Sequence, residues 1–209
     1  SNKLFLNEGV KLPKLITIPT TSGTGSEINS WGTIWKNHLK LSVAGDMLRP
    51  KYAILDASLC KSMPLKLTIS TALDALSHSL ESIWNKNYSS ISDELASIAI
   101  KKIFKFLPLT INNQNKIEYR KEMQLAALLA GISMSQTKTA ICHSISYPLT
   151  SIYNIPHGIA CSLTLAEVAN LNNKKHKKRM KVIGNALCCQ NESIGKILED
   201  FLTSVNFKE

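Results

Sequence analysis

Apolar residues recur at three- and four-residue spacing over much of this chain. In LTISTALDALSHSLESIW, Leu73, Leu76, Leu80 and Ile83 fall on one helical face. SDELASIAIKKIFKFL opens with Ser92 and two acids, a helix start. EYRKEMQLAALLAGISMS predicts a third helix, ending near Gly131. GIACSLTLAEVANLNN and the tail from Val182 to Phe207 also read as helical. Ahead of these the pattern differs. KLITIP, Lys14 to Pro19, is a short β-rich run closed by proline, and YAILD, Tyr52 to Asp56, reads as a second buried strand. The small-residue loop TTSGTGSE follows the first of them. The texture changes near residue 60, which predicts a strand-and-loop segment over 1–60 and an all-helical body over 61–209. There is no internal repeat and no low-complexity linker.

Composition narrows the class. A chain of 209 residues with 44% apolar content buries a substantial core as one large or two small domains. No apolar run reaches the roughly 18 residues that span a bilayer, and SNKLFLNEG lacks the basic-then-apolar pattern of a signal peptide. Five cysteines, an odd number with Cys188 and Cys189 adjacent, argue against a disulfide framework and for a reducing cytoplasm. The net charge of +10 is partly carried by NNKKHKKRMK, Asn172 to Lys181. Such a run attracts nucleic acid or a membrane surface, or forms a solvated helix face. Without interleaved aromatics or a base-reading motif it reads as the solvated face, with neither nucleic acid nor membrane as partner. A basic balance also suits an anionic substrate.

Three of the five histidines keep notable company. Asp74 and His78 are four apart in a helical pattern, so they share one face. His143 and His157 are fourteen apart, with Pro148 and Pro156 between them, so the chain has to turn there. His157 sits in IPHG, where a helix start aims a side chain inward. One carboxylate and three imidazoles with an open position suit Fe(II), Zn(II) or Ni(II). Taken singly, each histidine also fits a satisfied core or surface residue.

These residues stand in a longer pattern that resembles the iron-containing (group III) alcohol dehydrogenases. That family's metal helix carries D-A-L-x-H-x-x-E, matched by Asp74, Ala75, Leu76, His78 and Glu81. Its second metal segment carries a histidine, a proline–leucine pair and P-H-G, matched by His143, Pro148-Leu149 and Pro156-His157-Gly158. Its nucleotide loop, P-T-T-x-G-T-x-S-E, is matched from Pro19 to Glu27. The resemblance implies a mainly α fold. An all-helical metal-binding domain, residues 61–209 and C-terminally short, follows the last strands of a dehydroquinate synthase-like α/β nucleotide-binding domain, residues 1–60. It implies Asp74, His78, His143 and His157 as ligands of Fe(II), or of zinc, nickel or another divalent metal. It implies NAD(P), approached by Thr20 and Thr21 on a loop shaped by Ser22, Gly23 and Thr24, and contacted by Lys40. The complete enzyme is expected to be a homo-oligomer, a dimer.

Two departures from the family pattern carry information. The chain has no G-G-G-S loop to grip the cofactor pyrophosphate, so the resemblance implies a fragment without the N-terminal part of the cofactor domain. Many relatives also carry a histidine four residues after the first histidine of the second segment, where this chain has Tyr147. Tyr147 is the expected catalytic proton donor. HSISYPLT preceded by TKTA resembles the phosphonoacetaldehyde reductases, also called hydroxyethylphosphonate dehydrogenases. Lys138, flanked by Thr137 and Thr139, offers an oxyanion a point charge and neutral donors. The expected reaction is therefore metal-dependent, NAD(P)H-linked reduction of phosphonoacetaldehyde to 2-hydroxyethylphosphonate. The alternatives are a general iron-type alcohol dehydrogenase acting on uncharged alcohols and an inactive metal-binding fragment.

Overall fold

The structure, a computed structural model, describes residues 3–4, 13–36 and 39–205, with side chains over 13–34 and 41–205. Among the described residues five short strands come first: β1 (Lys3–Leu4), β2 (Ile16–Thr17), β3 (Trp31–Lys36), β4 (Leu39–Ala44) and β5 (Tyr52–Ala53). Eight α-helices follow among them: α1 (Leu65–Trp84), α2 (Ser90–Asn112), α3 (Ile117–Thr137), α4 (Ile141–Tyr153), α5 (His157–Ser162), α6 (Leu165–Lys175), α7 (Lys177–Leu187) and α8 (Ile194–Val205). The mainly helical architecture is the expected one. Among the described residues no helix is long and apolar enough to cross a membrane.

Helix α1 is the axis of the body. From Ala72 to Ile83 every residue is buried, and α2, α3 and α5 pack against it. A helix enclosed on all sides cannot carry a polar face unless that face is satisfied internally. Ser77 and Ser79 manage this by donating to the carbonyls of Leu73 and Ala75, both at 2.8 Å. Leu73, Leu76, Leu80 and Ile83 are fully buried in the main core, each contributing about 1.5–3 kcal/mol of apolar transfer. Helix α2 starts at Ser90, two residues ahead of the expected Ser92. Ser89 and Ser92 form a reciprocal cap, each hydroxyl accepting from the other's backbone N–H at 3.1 and 2.8 Å.

Several elements differ from the pattern-based expectation. Helix α3 does not end at Gly131 but runs on to Thr137. Gly131 is a packing residue: a Cβ there would sit 2.7 Å from the Cα of Gly25. Gly25 itself has φ +61°, and a Cβ on Gly23 would lie 2.5 Å from Thr71 Cβ. The TTSGTGSE loop is thus wedged by its glycines against α1 and α3. Pro148 does not turn the chain; it lies inside α4, and the turn comes at the left-handed Asn154 just before Pro156. GIACSLTLAEVANLNN is split into α5 and α6 at Leu163–Thr164, and the tail into α7 and α8 after the left-handed Cys188.

The strands are shorter than expected, two residues each in β2 and β5, which pair in parallel with Ile16 opposite Tyr52. Leu15, Ile16, Ile18, Tyr52 and Ile54 leave about half of their surface exposed around this pair. The hairpin of β3 and β4, with Trp31 opposite Ala44, escaped the pattern because WGTIWKNHLKLSVA does not alternate cleanly. The basic run divides chemically. Lys174, Lys175, Lys177, Lys178 and Lys181 are exposed, whereas Arg179 binds Asp93 at 2.5 and 2.9 Å and lies 3.5 Å over the Tyr88 ring.

Helix α5 meets α1 backbone to backbone. A Cβ on Gly158 would fall 1.7 Å from the carbonyl oxygen of Ser70, so no side chain fits there. Gly158→Ala is expected to lose at least about 1–3 kcal/mol of stability through overpacking. Gly32→Ala, whose Cβ would meet nothing within 4 Å, is the control. Equal melting temperatures for the two variants would refute the tight α1–α5 contact.

Candidate metal centre

Three elements deliver one cluster. Asp74 and His78 lie one turn apart on α1, His143 is in the first turn of α4, and His157 opens α5. All three imidazoles face a single carboxylate oxygen. Asp74 Oδ1 is 3.6 Å from His78 Nε2, 3.4 Å from His143 Nε2 and 3.9 Å from His157 Nε2. The rings of His78 and His143 stack with centroids 4.7 Å apart, and His157 meets His143 edge-on at 5.6 Å. Asp74, His78 and His143 are buried, while the His157 side chain keeps 39% of its surface.

The sequence pattern singled out none of the contacts around Glu81. This residue is fully buried three positions beyond His78. Its carboxylate accepts from the backbone N–H of Ala140 (2.9 Å), Cys142 (2.6 Å) and His143 (3.3 Å), and from His143 Nδ1 at 2.6 Å. Helix α4 has no side-chain cap of its own; Glu81 supplies one from α1 and satisfies the amides that a helix start leaves unpaired. With Nδ1 of His143 engaged by Glu81, its Nε2 is the nitrogen turned toward Asp74. The only prior signal was the E of D-A-L-x-H-x-x-E. Cys161 was missed as well. It lies one turn after His157, with Sγ 3.6 Å from His157 Nε2 and 3.8 Å from Nδ1.

Electrostatics follow from enclosing these groups together. Burial works against ionising Asp74, but His78, His143 and His157 outweigh it and hold the carboxyl well below the usual range. Burial pushes His78 down to about 4 despite the pull of Asp74, leaving a neutral base. For His143 burial is overcome by the neighbouring Asp74, Cys161 and Glu81, and the shift is upward. Burial would raise Cys161, yet His143 and His157 bring the thiol below its ordinary value. Cys142, by contrast, is driven up to about 12, mainly by burial.

Asp74 Oδ1, His78 Nδ1 and His143 Nε2 are buried without a hydrogen-bond partner. Each such atom ordinarily costs about 1–3 kcal/mol, and two of the three face the same point. A divalent cation there would satisfy Asp74 Oδ1 and His143 Nε2 together. The donor set of carboxylate oxygen, imidazole nitrogen and thiol fits a transition ion rather than calcium or magnesium.

The cluster forms the floor of a cleft of about 650 Å³. Thr24, Trp31 and Ser42 of the loop and hairpin line it too, as do Lys138, Thr139 and Tyr147. Tyr147 lies one turn past His143, its ring 10° from parallel with His157 at 6.5 Å. Lys138 ends α3 with φ 69°, a left-handed conformation held by Asn85 Nδ2 donating to its carbonyl at 3.2 Å. Thr137 does not join Thr139 at the cleft as expected. It is buried, and its hydroxyl donates to Ser82 Oγ at 3.0 Å. Of the cofactor-loop residues, Thr24 lines the cleft, Thr20 is exposed and Thr21 half-buried. Ser22 and Gly23 are turned inward, Ser22 donating to Cys60 Sγ at 3.6 Å. Lys40 lies in β4, and its side chain is outside the described residues.

The chain belongs to the iron-containing alcohol dehydrogenase family. The profile of the Fe-containing alcohol dehydrogenase family, C-terminal, matches residues 68–208, and that of iron-containing alcohol dehydrogenase matches residues 2–57. The chain is similar to the 1-propanol dehydrogenase PduQ of Citrobacter freundii, at 33% identity over 87% of this chain and 50% of that protein. It is also similar to the probable alcohol dehydrogenase EutG of Escherichia coli, at 36% identity over 85% of this chain and 45% of that one. Among solved structures, the sulfoacetaldehyde reductase of Bifidobacterium kashiwanohense in complex with NAD+ superposes with a TM-score of 0.89 at 32% identity, covering 96% of this chain and 55% of that one. The chain thus spans about half the length of the relatives it matches.

In Glu81→Gln one carboxylate oxygen becomes an amide NH2, so two of the four donors to Glu81 lose their acceptor. Glu81→Gln is expected to lose at least about 1.5–3 kcal/mol in urea unfolding at neutral pH, the worth of a hydrogen bond to a charged group. Burial raises the Glu81 carboxyl, but the His143 and backbone hydrogen bonds outweigh it and bring the net shift below its ordinary 4.5. The stabilisation from ionised Glu81 is therefore present above that value and lost as pH falls through the folded-state value. The gap between wild type and Glu81→Gln should narrow on acidification; a gap that widens refutes this role.

Proposed function

We propose that this chain carries the metal- and substrate-binding portion of an NAD(P)-linked oxidoreductase that interconverts small aldehydes and alcohols. In this reading Asp74, His78, His143 and His157 hold a divalent ion, iron in the family's usual case. The observation that carries it is the convergence of three imidazole nitrogens within 3.4–3.9 Å of one buried, unpartnered carboxylate oxygen at the floor of a cleft. When bound, the ion supplies Lewis acidity to a carbonyl and reduced nicotinamide supplies hydride.

The chain's own residues bind, orient and move protons. Glu81 keeps His143 in the tautomer that presents Nε2 to the site. Tyr147 faces the cleft beside His157 and, in this reading, delivers the proton to the substrate oxygen. Thr20, Thr21 and Thr24 meet the nicotinamide cofactor, with Ser22 and Gly23 holding the loop's shape from behind and Lys40 adding a cation. Five free cysteines accord with a reducing, cytoplasmic setting.

The finer reading is an anionic two-carbon aldehyde, phosphonoacetaldehyde, reduced to 2-hydroxyethylphosphonate. Lys138 supports it, because this cationic residue lines the cleft that also holds the metal cluster. The similarity to a sulfoacetaldehyde reductase supports it as well, since the substrate that protein is named for is also an anionic two-carbon aldehyde. An uncharged short alcohol is the second reading, favoured by the relative named for 1-propanol.

The purified chain should bind about one divalent ion, with the Asp74→Ala/His143→Ala double variant losing it; equal metal content in the two by elemental analysis would overturn the site. In the active enzyme, Lys138→Met should raise KM for phosphonoacetaldehyde roughly 10- to 150-fold, from the ~1.5–3 kcal/mol of a charge-assisted contact. Its activity on propanal should hardly change. Loss of both substrates alike would assign Lys138 to the fold or the cofactor. In the same assay Tyr147→Phe should lower turnover roughly 10²-fold if the phenol is the general acid, and unchanged turnover across pH would remove it from the mechanism.

A further inference from the structure

Among the described residues three that are not glycine have positive φ: Lys138, Asn154 and Cys188. Asn154 (φ 57°, ψ 24°) and Cys188 (φ 54°, ψ 42°) sit in the ordinary left-handed region that closes helices. Lys138 does not. With φ 69° and ψ 172° it occupies a region essentially reserved for glycine, where a Cβ crowds its own backbone. This strained residue lines the cleft that holds Asp74, His143 and His157.

The strain begins with a short connection. Between Thr137, the last residue of α3, and Ala140 only Lys138 and Thr139 intervene. The Lys138 N–H donates to the Met134 carbonyl at 2.7 Å and closes α3. The Ala140 N–H donates to Glu81 at 2.9 Å and fixes the entry to α4. A turn this tight between two fixed points calls for a positive φ, which glycine supplies without steric cost. Nothing in the turn itself calls for a lysine.

Two asparagines of the α1–α2 connection hold the strained stretch in place. Asn85 Nδ2 donates to the Lys138 carbonyl at 3.2 Å, and Asn87 Nδ2 donates to the Thr137 carbonyl at 3.3 Å. Carbonyls at a helix C-terminus have no partner within the helix, so these amides meet an existing need. Asn85 is itself oriented. Its Oδ1 accepts from the backbone N–H of Asn87 at 3.0 Å, which leaves the NH2 for Lys138. Neither asparagine lines the cleft; both act on it through the backbone of α3.

We propose that Asn85 and Asn87 are positioning residues that hold Lys138 in its strained conformation, and that this conformation fixes the cation which selects an aldehyde with an oxyanion head group. This rests on the anionic-substrate reading above. Lysine is a point charge on a flexible stem. Fixing its backbone before the substrate arrives lowers the ordering cost of binding, which is the gain from preorganisation. The fold gives up stability at Lys138, and the return is discrimination between charged and uncharged substrates.

Stability and specificity should therefore part at one residue. In the 209-residue chain, Lys138→Gly removes the Cβ and should melt about 2–4 °C above Lys138→Ala, which keeps it. In the active enzyme both variants should raise KM for phosphonoacetaldehyde roughly 10- to 150-fold, the worth of a charge-assisted contact, with KM for propanal unchanged. Asn85→Ser keeps an oxygen for the Asn87 N–H but is too short to reach the Lys138 carbonyl. It should raise KM for phosphonoacetaldehyde roughly 2- to 12-fold, the worth of a neutral hydrogen bond, and leave propanal alone. Asn87→Ala should act in the same direction. Lys138→Gly melting at or below Lys138→Ala overturns the proposal. So does Asn85→Ser with both KM values at the wild-type level or both raised alike; if Lys138→Met then loses only the anionic substrate, the anionic reading stands. Lys138→Met without effect on either substrate overturns both.

Discussion

The carboxylate of Glu81 ties the centre together. It is fully buried and therefore unstable as an anion unless every oxygen lone pair is used. Three backbone amides at the start of α4 and the Nδ1 of His143 use them. Each side solves the other's problem: α4 begins without a cap of its own, and Glu81 is buried without a Lys or Arg partner. The contact fixes the register of α4 against α1, and with it the distance between His143 and Asp74. A shift of α4 by one residue would present Cys142 or Ser144 instead of His143.

A second constraint acts through the absence of side chains. Gly158 allows α5 to touch the backbone of α1, while Gly23, Gly25 and Gly131 allow the TTSGTGSE loop to lie against α1 and α3. Both contacts converge on the cleft, one setting its floor and the other placing Thr24 on its wall. The cost of enclosing unpartnered donors there is supported by the rest of α1, whose leucines and isoleucine are buried on every side.

Membership in the iron-containing alcohol dehydrogenase family bears on the exposed strands. The parallel pair β2–β5 leaves Leu15, Ile16, Ile18, Tyr52 and Ile54 about half exposed. Parallel strands usually have both faces covered. The relatives are about twice as long as this chain.

The sequence by itself marked helices α1, α2 and α3 and put forward candidate donor residues. Apolar spacing marked α1, α2 and α3, because a buried helix has to repeat its apolar positions at the helical period whatever surrounds it. Asp74 and His78 could be paired from their spacing alone, since four residues on a helix is one turn. Tertiary structure decided the rest. Gly131 read as a helix end because glycine favours such ends, yet its role is contact with Gly25, a residue more than a hundred positions away. Pro148 read as a break, but packing retains it inside α4. The convergence of His143 and His157 on Asp74, the cap from Glu81 and the approach of Cys161 depend on how α4 and α5 dock on α1. Periodicity reports which face of an element is buried; it carries no information about which other element covers that face.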